Sequence, residues 1–416
     1  MSNTILTNSI IAKEALVQLE NEMVLGNLVH RGYEDEFSKN VNGYTPGATV
    51  SIRKPAKYTL REGANMATQD STEGTTSLTV DYQCGVDLGG WTSADRTLKI
   101  SEFSDRFIKP AMMTIAQGVD AKIATLYNKV FNWVGTPGQV VNSFTDFALA
   151  PQRLDEMAVP QGDRYAVLNP ADQWGLLGSM TSLYIQDTAK TALQRAKLPM
   201  LGGIDTYMSQ NTPQHTTGSR DDTTPIVNGD TSTTYAATKD TGVMNLAYTG
   251  ADATAVFKAG DVINIAGVYA VNPVPGVTGA SKQVQSYLQD FVVQADVTSS
   301  GGAGTLSISP PIITSGAYQT VSAIASNGVA ITNKGSASTT YKQSLVFHKN
   351  AFALAVVPMI APEGAVDVQR VSYNGLSLRM IPVYTGASDT SAIRLDVLLG
   401  VKAIYPDLAT RLSGTA

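Results

Sequence analysis

Three histidines (His30, His215 and His348) and one cysteine (Cys84) are the residues of this chain best suited to nucleophilic or metal chemistry, and they lie far apart in sequence. No two histidines stand at ligand spacing and none opens an H-E-x-x-H run, so a helix-borne zinc site has nothing to build it. A single cysteine excludes both a cysteine-based zinc site and an internal disulfide. His215 falls in a Thr/Gly loop and His348 at a strand end; each is expected to be a satisfied or solvated histidine. The nucleophile elbow G-x-S-x-G and the phosphate loop G-x-x-x-x-G-K-[ST] are both missing. The glycine cluster SSGGAGTLS departs from the dinucleotide fingerprint and suits a hairpin turn. Asp221 and Asp222 follow Arg220 in a polar loop. A carboxylate pair binds cations in other settings, but no third ligand follows at EF-hand spacing, so the triplet is expected to form a loop salt bridge, within the chain or between subunits. These residues imply a protein that is not an enzyme and carries no cofactor or metal.

Charge chemistry is more suggestive. Residues 43–58, GYTPGATVSIRKPAKY, open on a turn and continue as an alternating segment, with Arg53, Lys54, Lys57 and then Arg61 clustered behind it. Alternation at period two predicts a strand, and Pro55 places its end or a sheet edge. No aromatic residues interleave as a stacking platform and the chain as a whole is acidic, which speaks against nucleic-acid binding. The cluster is either one wet strand face or half of an ionic contact across a subunit boundary. The run Glu34-Asp35-Glu36 is its natural complement, in the same subunit or the next.

The elements that would carry these residues follow from periodicity. Residues 9–29 predict an amphipathic helix capped by Ser9, with Ile11, Ala15, Leu19 and Met23 on one face. Residues 49–61 and 76–91 predict two strands, able to pair as a long hairpin around the polar stretch EGANMATQDSTEGTTS. A hairpin without its own core is marginal, so it needs a partner surface, and a neighbouring subunit is the economical one. Residues 101–134 predict the longest helix, from an i+4 series running Phe103 to Phe131, roughly 45 Å long, with Pro110 kinking its start or marking a second segment. Asn169-Pro170 predicts a helix start after the short strand AVL, a second helix follows near 182–196, and LPMLGGIDTYMSQNTP predicts a strand between turns. From Pro213 to about Tyr341 the texture becomes Thr, Ser, Gly, Ala and Val, with Lys/Arg at six positions and Asp at eight between 214 and 345, and short apolar runs separated by turns. That pattern predicts a small barrel or sandwich inserted into a host domain whose strands resume after 343.

Hydrophobic content of 43% supports a sizeable core, while charged residues, at 16%, fall below the usual quarter. Low surface charge suits a protein largely covered by other subunits, since interface cores are depleted in charge. A net charge of −5 lacks the basic footprint of a nucleic-acid binder. The N-terminal residues do not have the pattern of a signal peptide, and no apolar run is long enough to span a membrane.

In their order these parts resemble the major capsid (coat) proteins of tailed bacteriophages, of the podovirus coat type with an inserted β-barrel domain. The resemblance rests on LVHRGYEDEF, GYTPGATVSIRKPAKY, YAVLNPADQWGLL, FKAGDVINIAGVYAVNP and LDVLLGVKAIYPDLATRLSG, which span nearly the whole chain. It implies an α+β major capsid fold with an N-terminal arm (1–45), an extended loop (46–90), a spine helix with the peripheral domain (91–144), an axial domain (145–212), an inserted all-β barrel (213–342) and an axial and peripheral return (343–416). It further implies self-assembly through pentamers and hexamers into an icosahedral shell enclosing double-stranded DNA without sequence-specific binding. A scaffolding protein and a portal protein are the implied partners, with assembly in the host cytoplasm, a place in the virion and no membrane. Glu34, Asp35, Glu36, Arg53, Lys54, Lys57, Arg61, Arg220, Asp221 and Asp222 are the expected inter-subunit contacts. The alternative is a β-rich surface binding protein, an adhesin or glycan-binding module.

Overall fold

The computed structural model describes residues 8–38, 47–61, 63–66, 68–92, 107–180, 198, 200–220, 224–274, 282–365, 367–373 and 376–415. The expected helix near 182–196 and the residues Asp221 and Asp222 lie outside them. The chain divides into two compact units: one of Met1–Val50, Ser77–Ala124 and Phe352–Lys402, the other of Ser51–Thr76, Thr125–Ala351 and Ala403–Ala416.

In the first unit, helices pack on an antiparallel sheet. Strands Tyr82–Thr92, Thr390–Ala403, Leu376–Thr385 and Gln369–Tyr373 are hydrogen-bonded in that order, with Leu399 opposite Tyr82 and Thr385 opposite Thr390. Ile393, Leu395, Val397 and Leu399 alternate on one buried face. Helix Asn8–Glu22 packs against helix Lys109–Ala124 and the two strands Gln369–Tyr373 and Leu376–Thr385.

The N-terminal helix is shorter than its periodicity predicts. It stops at Glu22, and a separate turn of helix, Leu25–Leu28, follows. The buried carboxylate of Asp120 accepts from the Val24 N–H at 2.8 Å and the Gly26 N–H at 2.9 Å, so a side chain of the other helix satisfies the orphan donors at the new helix start. Ala15, Leu19 and Met23 are buried as expected.

The long helix differs at its far end, while residues 101–106, where its predicted start falls, lie outside the described residues. It runs Lys109–Ala124, about 24 Å, and gives way to a 3-10 turn, Thr125–Lys129. Ala111, Ile115, Val119 and Ile123 keep the expected i+4 stripe. Beyond it the apolar series continues in another geometry: Val130, Phe131, Trp133 and Val134 are buried, and Trp133–Val134 is a strand parallel to Arg411–Leu412. A run of bulky and β-branched residues suits a strand as well as a helix stripe. Pro110 is the second residue of that helix.

The second unit holds a five-stranded sheet in the order Trp133–Val134, Ala409–Leu412, Ser344–His348, Arg164–Leu168, Asp205–Met208, parallel at both ends and antiparallel between. Helices Phe144–Glu156 and Pro170–Met180 bury Phe147, Leu154, Leu176 and Leu177 in its core. Asn169 Oδ1 accepts the Asp172 N–H at 3.0 Å, giving the expected cap.

The same unit contains a six-stranded sheet, Ile331–Asn333, Val262–Val271, Val284–Val293, Gly304–Ser309, Met244–Thr249 and Ile226–Val227. Its two edges meet: the Val227 N–H donates to the Val329 carbonyl and the Ile331 N–H to the Pro225 carbonyl, so the sheet curls into a nearly closed barrel. Leu246, Tyr248, Phe257, Ile263, Phe291 and Leu306 fill it. The chain enters and leaves on a paired stem, Gln214–Thr216 antiparallel to Thr340–Lys342.

Candidate assembly surfaces

Strand Thr49–Lys54 pairs with Gly74–Thr79, and the chain between them is largely exposed. The second predicted strand is divided. Its later part, Tyr82–Thr92, pairs with Thr390–Ala403 instead of continuing the hairpin. The tip is ordered by its own polar groups: Thr59 N–H and Oγ1 donate to Gln69 Oε1, and Gln69 Nε2 donates back to the Thr59 carbonyl at 2.8 Å. Tyr58, Leu60 and Met66 are exposed there, Met66 at 84%. Apolar side chains on an otherwise polar projection are groups that a neighbouring surface could cover.

The basic residues are deployed separately. Arg53 lies 3.7 Å from Glu73 across the hairpin, in a solvated pair worth about 0–1 kcal/mol. The Lys54 ammonium sits 5.7 Å from the Tyr405 ring centroid. Lys57 and Arg61 are exposed, and Arg61 Nη1 donates to the Asn65 carbonyl. On the short helix Glu34–Ser38, Glu34 and Glu36 are half-buried and already engaged within the chain; Asp35 lies between them.

Arg220 is a correction to the sequence reading. It is 4% exposed, with Nη2 donating to the Lys334 and Gly335 carbonyls and Nε 3.9 Å from Asp261, so its charge is spent inside the chain. The polar texture around it suggested a surface loop, but a guanidinium reaching two backbone carbonyls and a carboxylate has its partners indoors.

Arg220 belongs to a buried polar network that sequence reasoning missed. His215 Nε2 and Asp261 Oδ1 are 2.8 Å apart, and the opposite ring nitrogen is 3.0 Å from the Tyr127 hydroxyl. Burial alone would push the Asp261 carboxyl up, but the His215 hydrogen bond and the Arg220 charge hold it below its ordinary value. Arg411 is fully buried, donates to the Val130 and Gly260 carbonyls and faces the Tyr127 and Trp133 rings; desolvation pushes it down to about 10. Nearby Asp290 takes Lys334 at 2.8 Å and Arg153 at 3.5 Å. A cleft of about 300 Å³ opens beside Arg153, Tyr287 and Lys334, but its cations are balanced by Asp290 and Glu156. Asp261 lies in the FKAGDV run, between the short strand Val256–Phe257 and the barrel strand Val262–Val271. Among the described residues no group of three or more His, Cys, Asp or Glu side chains could hold a metal, and no helix is long and apolar enough to cross a membrane.

The described residues thus present an exposed hairpin and a nearly closed barrel, with Arg220, Arg153 and Lys334 paired to carboxylates inside the chain. The family model for the P22 coat protein (gene protein 5) matches residues 2–414. The chain belongs to the P22 coat protein family. A curated relative, the major capsid protein of Acyrthosiphon pisum secondary endosymbiont phage 1, is 22% identical over 428 residues, covering 100% of both chains. Among solved structures, one of Mycobacterium phage Che8 covers 94% of this chain and 90% of that one at 15% identity and a TM-score of 0.47. The capsid of Ralstonia phage GP4 covers 94% and 89% at 8% identity and a TM-score of 0.44. The family agrees with the coat-protein resemblance and gives no support to an adhesin.

Proposed function

We propose that the chain is the structural subunit of a tailed-phage capsid, self-assembling through pentamers and hexamers into an icosahedral shell around double-stranded DNA. The observation that carries this reading is the coat-protein family match along residues 2–414. The exposed hairpin supports it, because that loop offers apolar and basic side chains to a neighbour. A symmetric shell needs many modest contacts closed by symmetry, which a low-charge subunit with projecting arms supplies.

Within this reading Arg53, Lys54, Lys57 and Arg61 contribute the basic side of inter-subunit contacts, and Glu34, Asp35 and Glu36 the acidic side. Their role is register and specificity. The partners are a scaffolding protein during assembly in the host cytoplasm and a portal at one vertex. The subunit performs no catalysis. Its net charge of −5 suits a container that must release its DNA. Proteomic mass spectrometry of purified virions tests the reading: this chain as the most abundant protein supports it, and virions that lack it contradict it.

A further inference from the structure

The exposed loop is joined to the inserted barrel by a compact set of contacts that the sequence pattern did not suggest. The Lys57 N–H donates to the Tyr318 hydroxyl at 3.0 Å, and that hydroxyl donates to the Thr72 carbonyl at 2.8 Å. One phenol thus ties both legs of the loop together. Tyr318 lies flat on Tyr235, with ring centroids 3.4 Å apart and an interplanar angle of 3°. A face-to-face sandwich is a poor arrangement for two ring quadrupoles, so other bonds must hold it. Those bonds are the contacts of the Tyr318 hydroxyl with the Lys57 N–H and the Thr72 carbonyl. A Cβ on Gly74 would stand 2.4 Å from the Lys239 carbonyl oxygen and 2.6 Å from Tyr235 Oη. Next to it, the Thr75 N–H and hydroxyl both donate to Asp240 Oδ1, at 2.9 and 3.0 Å. Tyr235, Asp240 and Tyr318 all lie between the strands of the barrel and serve no part of its core.

We propose that the inserted barrel positions the extended loop through this tyrosine latch, so that the loop's direction is set inside each subunit before a neighbour engages it. The proposal rests on the capsid reading for its consequence, since the positioned loop is the part offered to the next subunit. It does not rest on that reading for its test. Without the latch, the described residues between 55 and 73 keep the hydrogen bonds of their own hairpin, and a segment held that way opens locally.

The test uses the full-length chain, soluble and unassembled. Hydrogen exchange at the Lys57 and Thr75 amides and trypsin cleavage after Lys57 and Arg61 are compared in wild type, Tyr318→Phe, Tyr318→Ala, Gly74→Ala and Asp240→Asn. Tyr318→Phe keeps the rings and loses the hydroxyl, so exchange at Lys57 should rise about tenfold while barrel amides stay protected. Asp240→Asn, at an exposed site, should raise exchange at Thr75. Tyr318→Ala and Gly74→Ala should speed cleavage of the loop by a similar factor. Unchanged exchange in both Tyr318→Phe and Asp240→Asn overturns the latch, even if the alanine variants do not fold. Assembly of the wild type is scored separately, so a chain that forms no shells but shows the expected exchange contradicts the capsid reading and leaves the latch standing.

Discussion

His215 and Asp261 meet at 2.8 Å, both nearly inaccessible to solvent, at the base of the barrel. Losing either partner leaves the other buried without its hydrogen bond. Asp261→Ala also removes the carboxylate paired with Arg220, and should cost about 3–5 kcal/mol in denaturant unfolding. The pH dependence follows from the depressed Asp261 value. Its contribution is fully present above the ordinary 3.8 and is lost as pH falls through the lower folded value. His215→Gln weakens that depression, so its acid-unfolding midpoint, read by circular dichroism, should lie at higher pH than the wild type's.

Asp120 offers a parallel case in the first unit. Its carboxylate accepts from both the Val24 and the Gly26 N–H groups at the helix break. Asp120→Ala should cost about 1–3 kcal/mol, the price of buried unsatisfied donors. Asp120→Asn retains one acceptor oxygen and should cost less. Equilibrium urea unfolding checks both.

Lys282 is 7% exposed, and its ammonium donates to the Gln319 carbonyl. Burial, with a smaller effect of the Lys57 charge, pushes it down to about 8. Below that value the folded chain carries a poorly solvated cation. As pH rises from about 8 toward 10.5 the folded form loses the proton first, so the penalty lifts. Lys282→Met should therefore raise the melting temperature at pH 7, with a gain that shrinks by pH 10. A gain that grows with pH would contradict this.

Much of the architecture was legible because it depends on local pattern. The Asn169-Pro170 start, the buried Ala15, Leu19 and Met23 face and the run of short strands after Pro213 are all local signals. The extent of helix Lys109–Ala124 was less so, because Tyr127 and Phe131 continue an i+4 series, yet Tyr127 lies in a 3-10 turn and Phe131 just before the strand Trp133–Val134. The basic cluster was legible as charge but not as placement. Arg53 finds Glu73 and Lys54 finds Tyr405 through long-range folding. Arg220, Arg411, Asp261 and Asp290 look like surface residues in sequence, yet they converge indoors from segments up to 191 positions apart, as Arg220 and Arg411 show. The latch was invisible for the same reason: Tyr318 and Lys57 are separated by 261 residues.

The most direct test of the capsid reading is to express the chain alone and with the scaffolding protein proposed for it, and to examine both by velocity sedimentation and negative-stain electron microscopy. The account predicts closed shells, or capsomer-like rings, in at least the preparation with scaffold. A chain that stays monomeric in both preparations across a wide concentration range would contradict it.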